Sequence, residues 1–478
     1  MSGTLAILGT GSEVGKSLVC TALLRLLRHR GILAAPFKAQ NMSNNSAVTF
    51  EGGEIGRAQY TQARAAGLEP EVAMNPILVK PESDHHSQLV ILGQAAGQLK
   101  GNRFFARNQE LRELAFAAFD DLKSRFGRVI VEGAGSLAEV NLRDKDFINL
   151  GLAQAKGIPV LLLADIDRGG VFAQIVGSLE VLSVEDRSRI KGILINRFRG
   201  DRELFADGVR WIEERTGLPV LGLLPYVPHL HLPAEDAVAL ESLDPPMPPS
   251  GPSIAVLQFP RISNFTDFEP LGRVAGLKLH FLRYPRDLSP YSMVILPGSK
   301  SVLADLAWAR ELGWDEKILA YHGQGGVLLG VCGGFQMLGQ DILDPQAIES
   351  EQEEGYGLGL VPILTRFEKP KTLKRRKATV AGVEVEGYEI HQGQSLFLER
   401  QRPWLSTEDG PEGWRDGQIW GTYLHGLFDH PRFLSLFLQE SIGFHWSPNP
   451  GADPIDHLAK ALEPHLDMVR IIEILEGD

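Results

Sequence analysis

Short apolar runs alternate with stretches of helical periodicity along the first half of the chain. The runs occupy positions 5–8, 32–36, 129–131, 159–164, 192–195 and 219–223. Alternation of this kind predicts βαβ units, in which helices cover both faces of a mostly parallel sheet. A second series of the same type begins at 254–258, continues at 293–296 and 326–329, and ends near residue 437. The pattern therefore predicts an α/β protein made of two doubly wound domains.

A proline-rich segment separates the two series. The stretch DPPMPPSGP excludes both a helix and a central strand and favours an extended spacer. We place a linker at 234–252, after a first domain at 1–233 and before a second domain at 253–445. The remaining tail at 446–478 has apolar residues at helical spacing, and Pro464 should break its helix. We expect this tail to pack back on the body of the protein.

Composition and charge exclude several classes of function. With 478 residues, of which 44% are hydrophobic and 23% charged, the chain has the composition of a soluble globular protein. Its net charge of −12 disfavours nucleic acid as a partner, because phosphate backbones bind to basic surfaces. No apolar run approaches the length of a membrane span and no secretory leader is visible, so we expect a cytoplasmic protein that does not bind a membrane. A homo-oligomer is left open.

A basic run stands out against this acidic background. Residues 369–377 read KPKTLKRRK and lie between two predicted strands. Runs of like charge are usually solvated. We therefore interpret this run as the exposed tip of a hairpin.

A glycine-rich loop, GTGSEVGKS, follows the first predicted strand and leads into a helix. Backbone N–H groups of such a loop bind phosphate oxygens, its lysine reaches the outer phosphates and its hydroxyl reaches Mg²⁺. The loop therefore predicts binding of ATP with Mg²⁺, through Thr10, Gly11, Glu13, Val14, Gly15, Lys16 and Ser17. Five residues rather than the usual four separate Gly9 from Gly15, and Thr10 takes the place of the first glycine.

A carboxylate ends the predicted buried strand at 129–131. Glu132 is followed there by the flexible turn GAGS. Because ligands of open α/β sheets lie beyond the carboxyl ends of the strands, Glu132 is well placed to hold Mg²⁺ together with Ser17. The alternative is a carboxylate that only caps a helix.

The second domain has a cysteine at a strand-to-helix turn. Cys332 lies in GVCGG directly after an apolar strand. This is the cysteine form of a nucleophile elbow, where small neighbours permit a strained backbone and the helix dipole favours a thiolate. We predict an oxyanion hole from the N–H of Gly333 and backbone around Gly298. Cys20, in contrast, lies in the apolar helix after the phosphate loop and is predicted to be part of the core.

A cysteine nucleophile needs a base, and His425 in WGTYLHGLF is the candidate. The Cys332 and His425 pair resembles class I glutamine amidotransferases. Their common triad form has a glutamate two residues after the histidine, where this chain has Leu427. No neighbouring carboxylate in the sequence therefore orients the imidazole.

The variant phosphate loop resembles that of dethiobiotin synthetase-like enzymes, which convert a carboxylate or carbamate into an acyl phosphate. Their EGAG turn carries a metal-binding glutamate, which corresponds to Glu132. Glu54, in EIGRAQ, resembles their other acidic ligand, although an exposed loop acid would look the same. Partition-type ATPases of related fold have a signature lysine where this chain has Gly11. The resemblance thus implies an enzyme that activates a carboxylate.

Six further segments extend the resemblance over nearly the whole chain, which is similar to the cobyric acid synthase family. They read KAQNMS at 38–43, EIGRAQ at 54–59, NPILVKP at 75–81, AEVNL at 138–142, ADIDRGGVFA at 164–173 and INRFRGD at 195–201. The resemblance implies amidation of the b, d, e and g carboxylates of a corrinoid polycarboxylate, adenosylcobyrinic acid a,c-diamide, with ATP and glutamine. Glutamine amidotransferases of this branch use cysteine and histidine alone.

The same resemblance implies roles for individual residues. His391, in the motif YEIHQG, would support the glutaminase site, and Asn196 would contact the nucleotide base. The residues implied at the substrate are Lys38, Lys80 and Asp146. For Asp146, an N-cap of the following helix is an equally good interpretation.

Two other functions remain open at this point. One is the sister reaction, the synthesis of cobyrinic acid a,c-diamide, which would use the same two domains on a different pair of carboxylates. The other is a non-catalytic ATP-binding regulator that senses glutamine. The presence of both Cys332 and His425 argues against the regulator.

Overall fold

A six-stranded parallel sheet forms the centre of the first domain in the computed structural model, which describes residues 3–81, 86–100, 107–227, 251–350, 352–448 and 453–477. From edge to edge its strands are Val220–Pro225, Ile190–Phe198, Val160–Asp165, Thr4–Gly9, Val129–Glu132 and Ala35–Phe37. Successive side chains of a strand point to opposite faces. Accordingly Ala6 and Leu8 pack into one core, and Leu5 and Ile7 pack into another. The predicted doubly wound fold is confirmed.

Helices supply the other side of both cores. The α-helices of this domain are Lys16–His29, Arg57–Ala66, Asn108–Phe126, Leu150–Lys156, Val171–Glu180, Val184–Ser188 and Ala206–Thr216, with 3-10 turns at Val72–Met74, Val140–Lys145 and Glu203–Phe205. The helix Lys16–His29 begins where the phosphate loop ends. Its residue Cys20 is fully buried in the core, as predicted.

Smaller sheets extend the first domain toward the second. Four strands form one of them, namely Gln40–Met42, Ile77–Pro81, His86–Ile91 and Gln94–Lys100. The strands Ser46–Val48 and Glu54–Gly56 form an antiparallel pair, which we call the interface hairpin. It contacts the strand Val383–His391 of the second domain. The interface hairpin thus connects the two domains directly.

A second doubly wound sheet forms the centre of the second domain. Its strands, in order, are Lys278–Leu282, Ser253–Leu257, Met293–Leu296, Val327–Val331, Ile419–Thr422 and Trp414–Asp416. All neighbours are parallel except Trp414–Asp416, which joins the edge antiparallel. Cys332 follows Val327–Val331 and His425 follows Ile419–Thr422. Because these two strands are neighbours, both residues reach the same end of the sheet.

The rest of the second domain surrounds this sheet. Its other strands are Ile262–Ser263, Gly298–Ser299, Asp341–Leu343, Glu354–Tyr356, Ile363–Arg366, Thr372–Val380, Val383–His391, Gln394–Phe397, Leu405–Thr407 and Gly410–Glu412. Its helices are Glu269–Gly272, Val302–Leu312, Trp314–Gly323, Gly333–Met337 and Pro431–Ile442, with 3-10 turns at Phe265–Phe268 and Leu427–Asp429. No helix in the described part of the chain combines the length and the apolar character that crossing a membrane requires.

The tail forms two helices, Pro454–Leu462 and Met468–Glu476, separated by the 3-10 turn Glu463–His465. The break at Pro464 is therefore confirmed. The tail packs on the first domain, where Leu458 and Leu475 join the core that contains Leu5. Ion pairs from Arg25 to Asp453 and Asp456 hold the first of these helices. The predicted linker at 234–252 lies outside the described residues except for its last two positions.

The basic run at 369–377 is not a hairpin tip. Most of it belongs to the strand Thr372–Val380, which pairs with Val383–His391, and the turn of that hairpin lies beyond the run. Lys371 is 7% exposed and bonds to Glu54 of the first domain at 2.8 Å. Arg375 pairs with Glu69, also of the first domain. The interpretation as a solvated tip was wrong because acidic side chains across the domain interface neutralise part of the run.

Candidate active site

Contacts within the phosphate loop and from neighbouring segments hold its shape. Lys16 Nζ donates to the carbonyls of Gly11 at 2.9 Å and Gly135 at 2.8 Å. Gly15 has a φ of 96° and a Cβ there would lie 2.2 Å from Asn196, so only glycine fits. Glu13 also has a positive φ and pairs with Arg168. The loop therefore lies at the carboxyl ends of the strands. Binding of phosphate at this position remains a prediction.

Glu132 and Ser17 lie together beside this loop. Ser17 Oγ donates to Glu132 Oε1 at 2.8 Å, and Lys38 Nζ donates to the same oxygen at 2.9 Å. Gln62 donates to the other oxygen at 2.5 Å, and the carboxylate is fully buried. A hydroxyl and a carboxylate beside a phosphate loop form the donor set with which Mg²⁺ is held against nucleotide phosphates. The two residues therefore fit the predicted metal site.

Glu54 belongs to a different cluster. Its carboxylate accepts from Ser46 at 2.8 Å and from Lys80 at 2.5 Å, and its second oxygen accepts from Lys371 at 2.8 Å. Burial opposes its ionisation, but the charges of Lys371 and Lys80 hold the pKa of Glu54 well below its usual range. The structure thus places Glu54 with lysines rather than with Ser17. Across the described ranges, no group of three or more His, Cys, Asp or Glu side chains is arranged to hold a metal ion without further ligands.

Two residues assigned by resemblance contact backbone in the structure. Asn196 donates to the carbonyl of Val14 at 2.8 Å, so its amide supports the phosphate loop. Asp146 accepts from the N–H groups of Ile148, Asn149 and Gly151, each at 2.8 Å. These bonds favour the capping interpretation of Asp146. Contacts of either residue with base or substrate remain predictions.

Cys332 has the geometry of a nucleophile elbow. Its φ of 53° and ψ of −111° are strained for a residue with a side chain. Glycines make this turn possible, because a Cβ at Gly334 would lie 1.9 Å from the carbonyl of Leu296. The Cys332 side chain is nearly buried, and Sγ lies 3.7 Å from the carbonyl of Ile390. The sulfur is therefore fixed at the end of the central strand.

The backbone predicted for an oxyanion hole lies next to this sulfur. A Cβ at Gly333 would lie 2.8 Å from the nitrogen of Ser299, so the two backbone segments are in contact. A Cβ at Gly298 would lie 3.7 Å from Cε1 of His425. Gly298 and Gly333 thus flank the space between cysteine and histidine. The binding of an oxyanion there remains a prediction.

His425 is buried and has a carboxylate partner that sequence reasoning missed. Its Nδ1 lies 2.5 Å from Oδ2 of Asp267, and its Nε2 has no hydrogen-bond partner among the described residues. Burial alone would lower the pKa of His425, but the charges of Asp267 and Cys332 outweigh burial and raise it to about 10. The expectation of a histidine without an orienting carboxylate is therefore corrected. Asp267 follows the strand Ser253–Leu257, so the rule that ligands gather beyond strand ends was the available signal.

His391 directly follows Ile390, whose carbonyl lies beside the sulfur of Cys332. Its ring stacks on Tyr423 with centroids 4.1 Å apart, and its Nδ1 lies 3.1 Å from the carbonyl of Gly393. Its Nε2 lies 3.7 Å from Glu389. These contacts fit a supporting position, and a role in the reaction remains a prediction.

The first domain reaches the surroundings of His425 through the interface hairpin. Tyr388 stacks on His425 with centroids 5.2 Å apart and donates from its hydroxyl to the carbonyl of Ser46 at 3.0 Å. Asn264 accepts from the N–H of Ser46 at 3.0 Å. Arg57, in the helix after the hairpin, pairs with Asp429 at 3.0 Å. The Cys332 site and the Glu54 cluster are therefore joined by direct hydrogen bonds through Ser46.

Comparison with known proteins agrees with this division. Residues 5–238 match the CobQ/CobB/MinD/ParA nucleotide binding domain, and residues 253–433 match the CobB/CobQ-like glutamine amidotransferase domain. A cobyric acid synthase of Chlorobaculum tepidum is 45% identical, with 98% of this chain and 97% of the relative covered. Those of Roseiflexus castenholzii and Cereibacter sphaeroides are also 45% identical, covering 95% and 98% of both chains respectively.

Proposed function

Because this chain belongs to the cobyric acid synthase family of glutamine-dependent ligases, we propose that it amidates the b, d, e and g side-chain carboxylates of adenosylcobyrinic acid a,c-diamide. The observation that supports this most is the direct contact between a phosphate-loop domain and a domain with a Cys332 and His425 pair. Amide formation in water requires an activated carboxylate and a nitrogen source. Each domain supplies one of the two.

The second domain would release ammonia from glutamine. Sγ of Cys332 attacks the side-chain amide carbon, an S–C bond forms as the C–N bond breaks, and His425 gives a proton to the leaving ammonia. Water then cleaves the thioester, which releases glutamate and restores the thiol. The oxyanion of each tetrahedral state would lie against backbone at Gly298 and Gly333, a contribution of about 10²- to 10³-fold in rate.

The first domain would activate the carboxylate. The terminal phosphoryl group of ATP passes to a carboxylate oxygen, giving ADP and an acyl phosphate, and ammonia then displaces phosphate as the amide bond forms. Backbone N–H groups of the phosphate loop and Lys16 would bind the ATP phosphates. Lys38 and Lys80, both buried in ion pairs, are candidates to meet the carboxylate or acyl phosphate oxygens.

Ser17 and Glu132 would hold Mg²⁺ at the phosphates. When bound, the cation neutralises phosphate charge and orients the transferred group. Lys38 adds a further positive charge next to Glu132. Glu54 remains a proposed second acidic ligand by resemblance alone, since its present partners are Lys80 and Lys371.

Mass spectrometry of the corrinoid product tests the proposal. The protein is incubated with adenosylcobyrinic acid a,c-diamide, ATP, Mg²⁺ and glutamine, and we expect four successive replacements of OH by NH₂. Amidation of cobyrinic acid at two positions, with no reaction of the diamide, would identify the sister reaction instead. Absence of glutamine-dependent ATP turnover with either acid would favour a regulator.

A further inference from the structure

A buried carboxylate that the proposed reaction does not use lies directly behind His425. Asp267 is 4% exposed, and its Oδ2 lies 2.5 Å from Nδ1 of His425. Its Oδ1 accepts from the N–H of Gly426 at 3.3 Å. From this geometry we infer that Asp267 is the positioning residue of a Cys332, His425 and Asp267 glutaminase triad. The acid comes from a turn far away in the sequence and replaces a glutamate two residues after the histidine.

Contacts at both carboxylate oxygens fix the histidine. One oxygen holds Nδ1 with its proton, and the other holds the backbone one residue after the ring. A histidine anchored in this way keeps Nε2 for the cysteine, because Nδ1 is bound to the acid in both the neutral and the protonated ring. The Nε2 atom is buried and is the ring nitrogen that Asp267 does not contact. The acid therefore determines which nitrogen meets Cys332.

The segment that carries Asp267 is itself firmly held. It is the 3-10 turn Phe265–Phe268, which packs against the turn Leu427–Asp429 just after His425. Phe268 and Phe428 are in ring contact, with centroids 6.4 Å apart. All four residues of the first turn are buried, as are Leu427 and Phe428 of the second, so the carboxylate and the imidazole cannot easily separate. A buried carboxylate is tolerated when it is paired and hydrogen-bonded, and His425 is the charged partner here.

Other charges around His425 must be included in any pH argument. The ring is faced by Cys332 from the elbow, by Asp267 from its turn and by the phenol of Tyr388, while Arg57 and Asp429 form an ion pair nearby. Acidic groups dominate this set. With Asp267 present, these groups keep the imidazole of His425 protonated at neutral pH. Removing the acid lowers the pKa of His425, so the ring loses its proton, and Cys332 loses a positively charged neighbour, at a lower pH.

The test compares Asp267→Asn with the wild type in the full-length protein, through hydrolysis of glutamine and alkylation of Cys332 by iodoacetamide between pH 5.5 and 9. We expect a loss of at least about 10²-fold in glutamine hydrolysis, since an amide in this position favours the wrong tautomer. Alkylation of the wild type should change little across neutral pH. In the variant it should be slower at pH 6 to 7 and rise with pH. Neither measurement uses the corrinoid. Each can therefore contradict the role of Asp267 without contradicting the proposed amidation.

A matched control is Asp344→Asn. Asp344 is another fully buried carboxylate of the same domain, and its oxygens accept N–H groups of residues 348–350. In Asp344→Asn, Cys332 should be alkylated with the wild-type pH profile. This control separates an effect specific to Asp267 from a general loosening of the domain. If Asp267→Asn is poorly folded by circular dichroism, Asp267→Glu, which keeps the charge, should be at least tenfold more active than Asp267→Asn. Wild-type hydrolysis and pH profile in Asp267→Asn, or equal activity of the two variants, would overturn the assignment.

Discussion

The buried carboxylate of Glu132 shows how single residues are prepared for their ligands. A charge removed from water must be compensated, and Ser17, Lys38 and Gln62 do so. The ion pair with Lys38 offsets the negative charge of Glu132, so the buried carboxylate is electrostatically balanced. The same logic applies to Glu54, which Lys80 and Lys371 neutralise.

Replacing Cys332 by serine should separate the two activities. The thiol of Cys332 belongs to the second domain. Cys332→Ser should therefore lose glutamine-dependent amidation by at least about 10³-fold, while amidation from high ammonium should stay within about twofold. Product formation with each nitrogen source measures both effects. Cys20→Ser serves as a control that changes a core thiol far from the elbow. Parallel loss of both activities in Cys332→Ser would contradict the division of labour.

Sequence reasoning found the residues whose chemistry is written in a local motif. The phosphate loop, Cys332 and His425 each lie at a strand end with glycine neighbours, so their positions follow from the order of strands. Asp267 was missed because its contact with His425 spans 158 residues and depends on how two turns pack. The basic run was misread for the same reason, since Lys371 finds Glu54 only across an interface. Local patterns carry no information about such partners.

At the scale of elements, the tail helices complete the first domain. Their apolar residues share one core with the helix Lys16–His29 and the strand Thr4–Gly9. Periodicity predicted the helices and their break, because apolar spacing and proline act locally. It could not predict which domain they cover. Backbone bonds from Gly3 to Leu475 and from Asp467 to Leu221 show that the tail is an integral part of the first domain.

Truncation of one tail side chain should therefore destabilise the first domain. Leu458 is fully buried, so Leu458→Ala should lower the free energy of unfolding by about 2 to 5 kcal/mol. The control is Val469→Ala, at a position of the tail that is 72% exposed, which should change it by no more than about 0.5 kcal/mol. Denaturant unfolding of each variant, recorded with and without nucleotide, would measure both changes in the free energy of unfolding. Equal effects of the two variants would mean that the tail contributes little.

For the whole molecule, the interface between the domains is the feature that would couple the two proposed reactions. Its contacts include polar and charged ones, with Lys371 bound to Glu54 and the hydroxyl of Tyr388 bound to Ser46. An interface of this kind joins the surroundings of His425 to those of Glu54 through few atoms. A change at this interface should therefore alter the ratio of the two reaction rates more than it alters either rate.

Removing the Lys371 charge should uncouple the two sites. In Lys371→Gln, Glu54 loses one of its two lysines, and we expect more glutamine hydrolysed per amide formed, by about twofold or more. The ratio of glutamate to corrinoid amide is the measurement. Lys374→Gln is the matched control, because Lys374 lies in the strand that begins just after Lys371 but pairs with Asp409 within its own domain. An unchanged ratio in Lys371→Gln would show that this ion pair only holds the domains together.

The position of the tail also determines the order in which the protein can mature on the ribosome. The strand Thr4–Gly9 is translated before the rest of its sheet, yet part of its core is supplied by Met468–Glu476, which is translated after the second domain. The domain that contains Cys332 is complete earlier, since its last helix is Pro431–Ile442. Domains usually fold in the order of synthesis. Here the later domain can finish first, while the earlier one keeps part of its apolar surface exposed until the tail has been made.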